Sequence, residues 1–388
     1  MYKINIRKEK FGGTLFDLTT GKRSYINYQE FCDIQKNIEF PNDINVPSNI
    51  SNEEIKFTRL NMKNDGNHYS FADIVFLEIT RECNLRCKHC LNNSGNCLQN
   101  ELSFEELSKI VKDLAENGVQ EIRFTGGEPL INDKVYELLK LSSENGIYTV
   151  IGTNGTLITK EVAKKLKDVG LMKAVVSIDG SRKSHDYIRG KGNYDKAIKG
   201  IDNLLEQGIK VRVNSVIMKD NMEEVITLAK EMHKKKIHIF LRRFIDSGRG
   251  ENLKNNMLNA KDYEYVKKSL ENELKDKYVI GHYLLDASSI SPRIKLPFKF
   301  QGCKAGQRSI AIMANGDIHL CGFLYSQGVK AVNNIRNITN LSNFWNDLQD
   351  NDRLTYLKQK LDKYNSIPEV QQTYCLAYIQ REINKGGL

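Results

Sequence analysis

Three cysteines fall within eight residues, in Cys83-Asn84-Leu85-Arg86-Cys87-Lys88-His89-Cys90, a C-x3-C-x2-C run. Thiolates this close on one loop can ligate three corners of an iron–sulfur cube and leave one iron open for a further ligand. A zinc knuckle is the competing use, but it needs a fourth nearby ligand and usually a C-x2-C pair twice over. His89 is the only candidate for that place, and its position beside Cys90 makes joint chelation awkward. The other cysteines are Cys32, Cys97, Cys303, Cys321 and Cys375. Cys303 and Cys321 bracket Asn315-Gly316, a strong hairpin signal. Cys32 and Cys97 read as packing or spectator residues. In a reducing compartment, clustered cysteines point to metal or redox chemistry rather than to disulfides.

The elements that must carry this run follow a repeated pattern. Ile74 to Ile79 is an apolar strand directly before the cysteines. Ser103 and Glu106 form a capping box that opens an amphipathic helix ending at Asn117-Gly118. Further helices close at Asn145-Gly146, Val169-Gly170 and Gln207-Gly208, each just before a strand: Glu121 to Thr125 follows the first helix, then Tyr148 to Gly152, Lys173 to Ile178 and Val211 to Ile217. A last helix, Met222 to Lys235, precedes Ile237 to Leu241. Six strands alternating with helices imply parallel pairing through right-handed crossovers. Doubly wound sheet and curved (β/α) barrel both fit this periodicity.

The 388 residues suggest two or three domains. A composition of 40% apolar and 27% charged residues excludes a collagen-like or wholly disordered chain. No run of 18 apolar residues is present, so no membrane-spanning helix is expected. Met1 to Lys8 lacks the apolar core of a signal peptide, which predicts a cytosolic protein. The formal charge of +10 is spread through helical patterns, with no long basic run interleaved with aromatics, so a nucleic-acid partner is not expected.

The cysteine run resembles that of the radical S-adenosylmethionine (SAM) superfamily, and further motifs match in strand order. Gly126-Gly127-Glu128-Pro129 follows the second strand, Thr153-Asn154-Gly155 the third, and Ser177-Ile178-Asp179-Gly180 the fourth, with Arg189-Gly190 beyond. Each lies past the C-terminal end of a strand, the face where barrels build sites. The resemblance implies a partial (β/α)6 TIM-like barrel over residues 71–250 whose Cys83, Cys87 and Cys90 hold a [4Fe–4S] cluster. It implies SAM held at Gly126, Gly127 and Glu128, with Asn154 facing the ribose, and Ser177 and Arg189 at the methionine carboxylate. His89 stands where the family often has an aromatic residue that stacks near the adenine. The implied chemistry is homolytic cleavage of SAM by an electron from a flavodoxin- or ferredoxin-type donor, and hydrogen abstraction by the resulting 5′-deoxyadenosyl radical.

Two flanking parts extend the resemblance. Residues 301–388 resemble SPASM and shorter twitch extensions, an α+β region expected to hold one auxiliary [4Fe–4S] cluster on Cys303, Cys321 and Cys375, after a connector at 251–300. Plain packing of these cysteines is the alternative. Residues 1–70 read as a β-rich appendage, with strands at Tyr2 to Arg7, Thr14 to Leu18 and Ser24 to Ile26, a helix near Tyr28–Lys36 and a linker from Pro41 to Asn67. It weakly resembles part of a leader-recognition module; a barrel-packing hairpin is the other reading. Enzymes of this architecture often modify ribosomally made peptides, which implies a precursor peptide as substrate and a thioether, carbon–carbon cross-link or epimerised residue as product. A small-molecule substrate of the dehydrogenase or haem-pathway type is the alternative.

Overall fold

The computed structural model describes residues 2–42, 44, 46, 50–60, 68–274, 279–280, 303, 305–350, 355–356 and 359. Of the connector expected at 251–300, residues 251–274 and 279–280 are among them; Cys375 lies outside them. The first layer holds β1 (Ile4–Glu9), β2 (Gly12–Asp17), β3 (Arg23–Asn27), α1 (Tyr28–Asn37) and β4 (Ile55–Thr58). Its sheet runs β3-β2-β1-β4, with β4 parallel to β1. β4 lies inside the stretch read as linker. Four residues alternate too briefly to announce a strand, and the β1 edge orders them.

The main sheet begins with β5 (Ile74–Glu78), α2 (Phe104–Glu116), β6 (Glu121–Thr125), α3 (Val135–Glu144) and β7 (Tyr148–Thr153). It continues through α4 (Lys160–Asp168), β8 (Lys173–Ser177), α5 (Arg182–Arg189), α6 (Asn193–Glu206) and β9 (Lys210–Ile217). Then come α7 (Met222–Lys234), β10 (His238–Arg243) and α8 (Ala260–Leu274). The helix stops read from sequence are real: Gly118, Gly146, Gly170 and Gly208 all take left-handed φ, between +67° and +85°.

β5 to β10 lie side by side in chain order, every neighbouring pair parallel. A doubly wound sheet reverses its order at a switch point. Strands laid down in one direction throughout are the winding of a (β/α)6 partial barrel, which decides between the two architectures. Side-chain alternation follows. Along β9, Val211, Val213, Ser215 and Ile217 are buried outward under the helices, while Arg212, Asn214 and Val216 face an interior cavity.

The sheet extends at both ends. β11 (Val279–Ile280) lies parallel beside β10, and β12 (Ser309–Ile312) lies parallel beside β5. β13 (Asp317–His319), α9 (Gly322–Ser326), β14 (Asn333–Asn334) and α10 (Leu341–Gln349) follow. The hairpin expected around Asn315-Gly316 forms as β12–β13, and β12 carries it into the barrel sheet itself.

The first layer plugs the N-terminal end of the barrel. Phe16 and Leu18 pack on Tyr148, Val150 and Val175. Asp73, fully buried at the start of β5, accepts hydrogen bonds from Arg7 Nη2 and Arg308 Nε, both at 2.7 Å, with Arg23 Nε 3.6 Å away. Three arginines from both flanking parts thus converge on one carboxylate. They hold it well below the usual carboxylate range although burial opposes them.

Candidate active site

The cysteine loop leaves the end of β5 and is closed by its own backbone: Cys83 N donates to Gly95 O (3.0 Å) and Gly95 N to Arg81 O (2.9 Å). Arg249, beyond β10, clamps it from the other side, donating from Nε to Cys87 O (2.8 Å) and from Nη1 to Ser94 O (2.9 Å). Cys83, Cys87 and Cys90 face a cavity of about 550 Å³ at the barrel mouth. His89, Gly126, Gly127, Asn154, Ser177, Arg189, Cys303 and Cys321 line the same cavity. Residues from four strand ends and from the C-terminal hairpin therefore meet in one place, as the motif order required.

Glu128 is the exception. Its side chain is fully buried and accepts from Thr153 Oγ1 and Asn154 N, both at 2.7 Å. It ties the loop after β6 to the loop after β7 rather than facing the cavity, and burial pushes its carboxyl up to about 7. The two glycines before it also serve the chain. Gly127 N donates to Thr80 O and Glu128 N to Glu82 O, both at 2.8 Å. A Cβ on Gly126 would stand 2.2 Å from Thr80 O, and one on Gly127 2.0 Å from Glu82 O. Gly126 also has φ +150°, a conformation open to glycine. The backbone leading into the cysteine loop, Thr80 to Glu82, packs directly against these two residues.

Sequence reasoning missed the centre of the site's polar network. Asp179, fully buried after β8, accepts at Oδ2 from His89 Nε2 (2.7 Å) and Arg189 Nε (2.6 Å), and at Oδ1 from Val216 N (2.8 Å). Asp179 stood within the quoted Ser177-to-Gly180 motif, so the signal was present, but its partners lie up to 90 residues away. The carboxylate accepts only, so His89 carries its proton on Nε2. With Nε engaged, Arg189 keeps its terminal nitrogens toward the cavity, Nη1 standing 3.9 Å from Cys87 Sγ. Asn154 is pinned by Thr156, whose backbone N–H and hydroxyl both donate to its Oδ1, while its own Nδ2 donates to Asn84 Oδ1 in the cysteine loop (2.8 Å). Asn214, in register with Ser177, also lines the cavity, its Oδ1 buried without a hydrogen-bond partner. No motif marked it.

The donor set suits a cluster better than a single ion. Among the described residues no three His, Cys, Asp or Glu side chains converge as one metal ion requires. His89, the only candidate fourth zinc ligand, is turned to Asp179. A cube instead takes thiolates spread over its corners, with N–H groups and cations tuning the sulfurs. Leu85 N donates to Cys83 Sγ at 3.4 Å, and Arg189 lies beside Cys87. Burial pushes the Cys83 thiol up to about 11 and raises Cys87, so metal binding must displace these protons.

A one-way parallel barrel with three thiols on the loop after its first strand, facing a glycine-walled cavity, is the framework of an iron–sulfur enzyme that binds a nucleoside cofactor at the strand ends. Residues 77–232 match the radical SAM superfamily. Superfamily members use a [4Fe–4S] cluster and SAM. Over 192 residues, 49% of this chain and 48% of the relative, it is 40% identical to the Fe-coproporphyrin III synthase of Methanosarcina barkeri. Over 175 residues, 45% of each, it is 31% identical to mycofactocin maturase MftC of Mycolicibacterium smegmatis. The chain thus spans about half the length of these curated relatives. In fold it resembles Streptococcus suis SuiB bound to its precursor peptide SuiA, with a TM-score of 0.68 and 22% identity, covering 89% of this chain and 87% of that one. No helix among the described residues is long and apolar enough to cross a membrane.

Proposed function

We propose that this chain takes a hydrogen from a residue of a ribosomally made peptide, leading to a thioether, a carbon–carbon cross-link or an epimerised residue. The observation that carries the reading is the single cavity shared by Cys83, Cys87, Cys90, Arg189, Cys303 and Cys321. Cys83, Cys87 and Cys90 would hold the cluster, and Gly126, Gly127, Asn154, Ser177 and Arg189 would receive SAM. When bound, the two supply reductive carbon–sulfur cleavage and a hydrogen-abstracting carbon centre. The chain's own residues bind and orient. Arg189, anchored through Nε, offers the planar fork that suits the SAM carboxylate, and Asn154 is held rigid for the ribose. Cys303 and Cys321, with Cys375, would hold one auxiliary cluster at the substrate's side of the cavity.

A peptide substrate is supported by the likeness to the mycofactocin maturase. It is supported too by β3, which ends the four-stranded sheet of the first layer and leaves an edge that an extended leader could join. A tetrapyrrole or other small molecule is the second reading, favoured by the 40% likeness to the coproporphyrin synthase. The radical part is tested by anaerobic incubation with SAM and dithionite. Wild type should release deoxyadenosine, and a Cys83→Ala/Cys87→Ala/Cys90→Ala variant should lose about four irons and all release. Deoxyadenosine from the triple variant refutes it. Co-expression with short reading frames beside the gene tests the substrate: a peptide whose mass changes only with the active enzyme supports the first reading, and a porphyrinogen consumed instead supports the second.

A further inference from the structure

We propose that Arg249 is the counter-charge of the cluster and sets its reduction potential. The inference rests on the reading that Cys83, Cys87 and Cys90 hold a [4Fe–4S] cluster. Arg249 touches the last two cysteines of the run at once. Its backbone N–H donates to Cys90 O (3.1 Å) and its Nε to Cys87 O (2.8 Å). Nη1 reaches on to Asn93 Oδ1 (3.0 Å) and Ser94 O (2.9 Å). The approach is built into the backbone. Gly248, at φ +57°, lies so close that a Cβ there would stand 2.5 Å from both Cys90 O and Leu91 O. Gly250 N closes the turn on Ser247 O (3.0 Å). Residues 248–250 thus form a tight Gly-Arg-Gly turn that holds one guanidinium against the cysteine loop, at the lining of the same cavity.

The groups that the guanidinium meets are two carbonyls and an amide oxygen, all neutral, and among the described residues no carboxylate pairs with it. Arg189, by contrast, is paired with Asp179. A cube held by three thiolates is already anionic, and the electron it accepts from a donor adds a further negative charge with no proton to balance it. The net charge of a cluster and the groups around its sulfurs set its potential. By bond lengths the Cys87 carbonyl oxygen lies within roughly 5 Å of its own Sγ, which puts Arg249 Nε within roughly 8 Å of that sulfur. At that range a half-buried cation favours the reduced form about tenfold. Arg86 makes a similar contact at the other end of the run, its Nη1 donating to Cys83 O (2.6 Å). Arg86 is exposed, and water screens its charge. The two arginines therefore separate a half-buried charge from a solvated one beside the same cluster.

The test is an anaerobic redox titration of the reconstituted holoenzyme, followed on the electron paramagnetic resonance signal that changes when SAM is added. That signal singles out the cluster at Cys83, Cys87 and Cys90 from any auxiliary one. Arg249→Gln keeps a donor for the carbonyls and removes the charge. It should retain wild-type iron and lower the midpoint by a tenfold change in the reduction equilibrium, about 59 mV for one electron. Arg249→Lys, which keeps the charge, should stay within threefold of wild type, about 28 mV. Arg86→Gln should also stay within threefold. A midpoint unchanged in Arg249→Gln overturns the proposal, and so does an Arg86→Gln shift as large as that of Arg249→Gln. Loss of iron from Arg249→Gln and Arg249→Lys alike makes the side chain a clamp and nothing more, which overturns it as well. A wild type with no SAM-sensitive signal refutes the cluster reading itself and this proposal with it; the other outcomes bear on Arg249 alone.

Discussion

Replacing Asp179 by Asn removes one charge and exchanges one oxygen for an NH2 group, yet it should loosen the whole upper layer of the site. Oδ2 accepts from both His89 and Arg189, and Oδ1 accepts from Val216 N. An amide has one acceptor oxygen. Whichever way it is turned, its NH2 faces a donor, either Val216 N–H or the pair on the other side. The Arg189 side chain is 10% exposed and Asp179 is not exposed at all, so this is a buried ion pair losing one partner, worth about 3–5 kcal/mol. At about 2.1 cal/mol/K of unfolding entropy per residue, 388 residues carry about 0.8 kcal/mol/K. The melting midpoint should therefore fall by about 4–6 °C. Arg189, free to rotate, should hold SAM about tenfold more weakly. The loss should also depend on pH. The folded carboxyl is held well below its ordinary value, so its contribution is full above the unfolded pKa of about 3.9 and is lost as pH falls below it. Scanning calorimetry at pH 7 and pH 3.5, with equilibrium dialysis of SAM, measures all three effects. A midpoint within 1 °C of wild type at pH 7, together with unchanged SAM affinity, would refute Asp179 as the organising group.

Gly127→Ala should cost about 1–3 kcal/mol of stability and reduce iron retention, because its Cβ would stand 2.0 Å from Glu82 O; iron assay and thermal melts check this, and a variant with wild-type iron content would contradict it. Asp73→Asn should lower stability by about 3–5 kcal/mol, since Arg7 and Arg308 lose a buried counter-ion; urea unfolding measures it, and SAM affinity of the folded fraction should not change. Cys303→Ala/Cys321→Ala should lower reconstituted iron from about eight to about four atoms per chain while deoxyadenosine release continues. Four irons in wild type would remove the auxiliary cluster.

Much of the site was legible because its parts are local in sequence. The C-x3-C-x2-C run, the glycine pair after β6 and the helix-ending glycines act through neighbouring backbone, so their spacing states their geometry. Strand existence was equally plain for β5 to β10, where long apolar runs alternate with capped helices. Strand order was not. Periodicity says that a residue faces a core but not which strand lies beside it, and only the one-way order of β5 to β10 shows barrel winding. The same reason hid β4, a four-residue strand held by its neighbour, and the joining of β12 to β5. Charged residues were the least legible. Arg7 and Arg308 reach Asp73 across 66 and 235 residues, and His89 reaches Asp179 across 90. A charge carries no local signature of its partner, so none of these pairings is legible in the sequence. The sequence by itself determined which loops and motif residues come to the cavity; the tertiary structure decided which carboxylates hold them in place, because only packing brings distant charges out of water and makes their pairing obligatory.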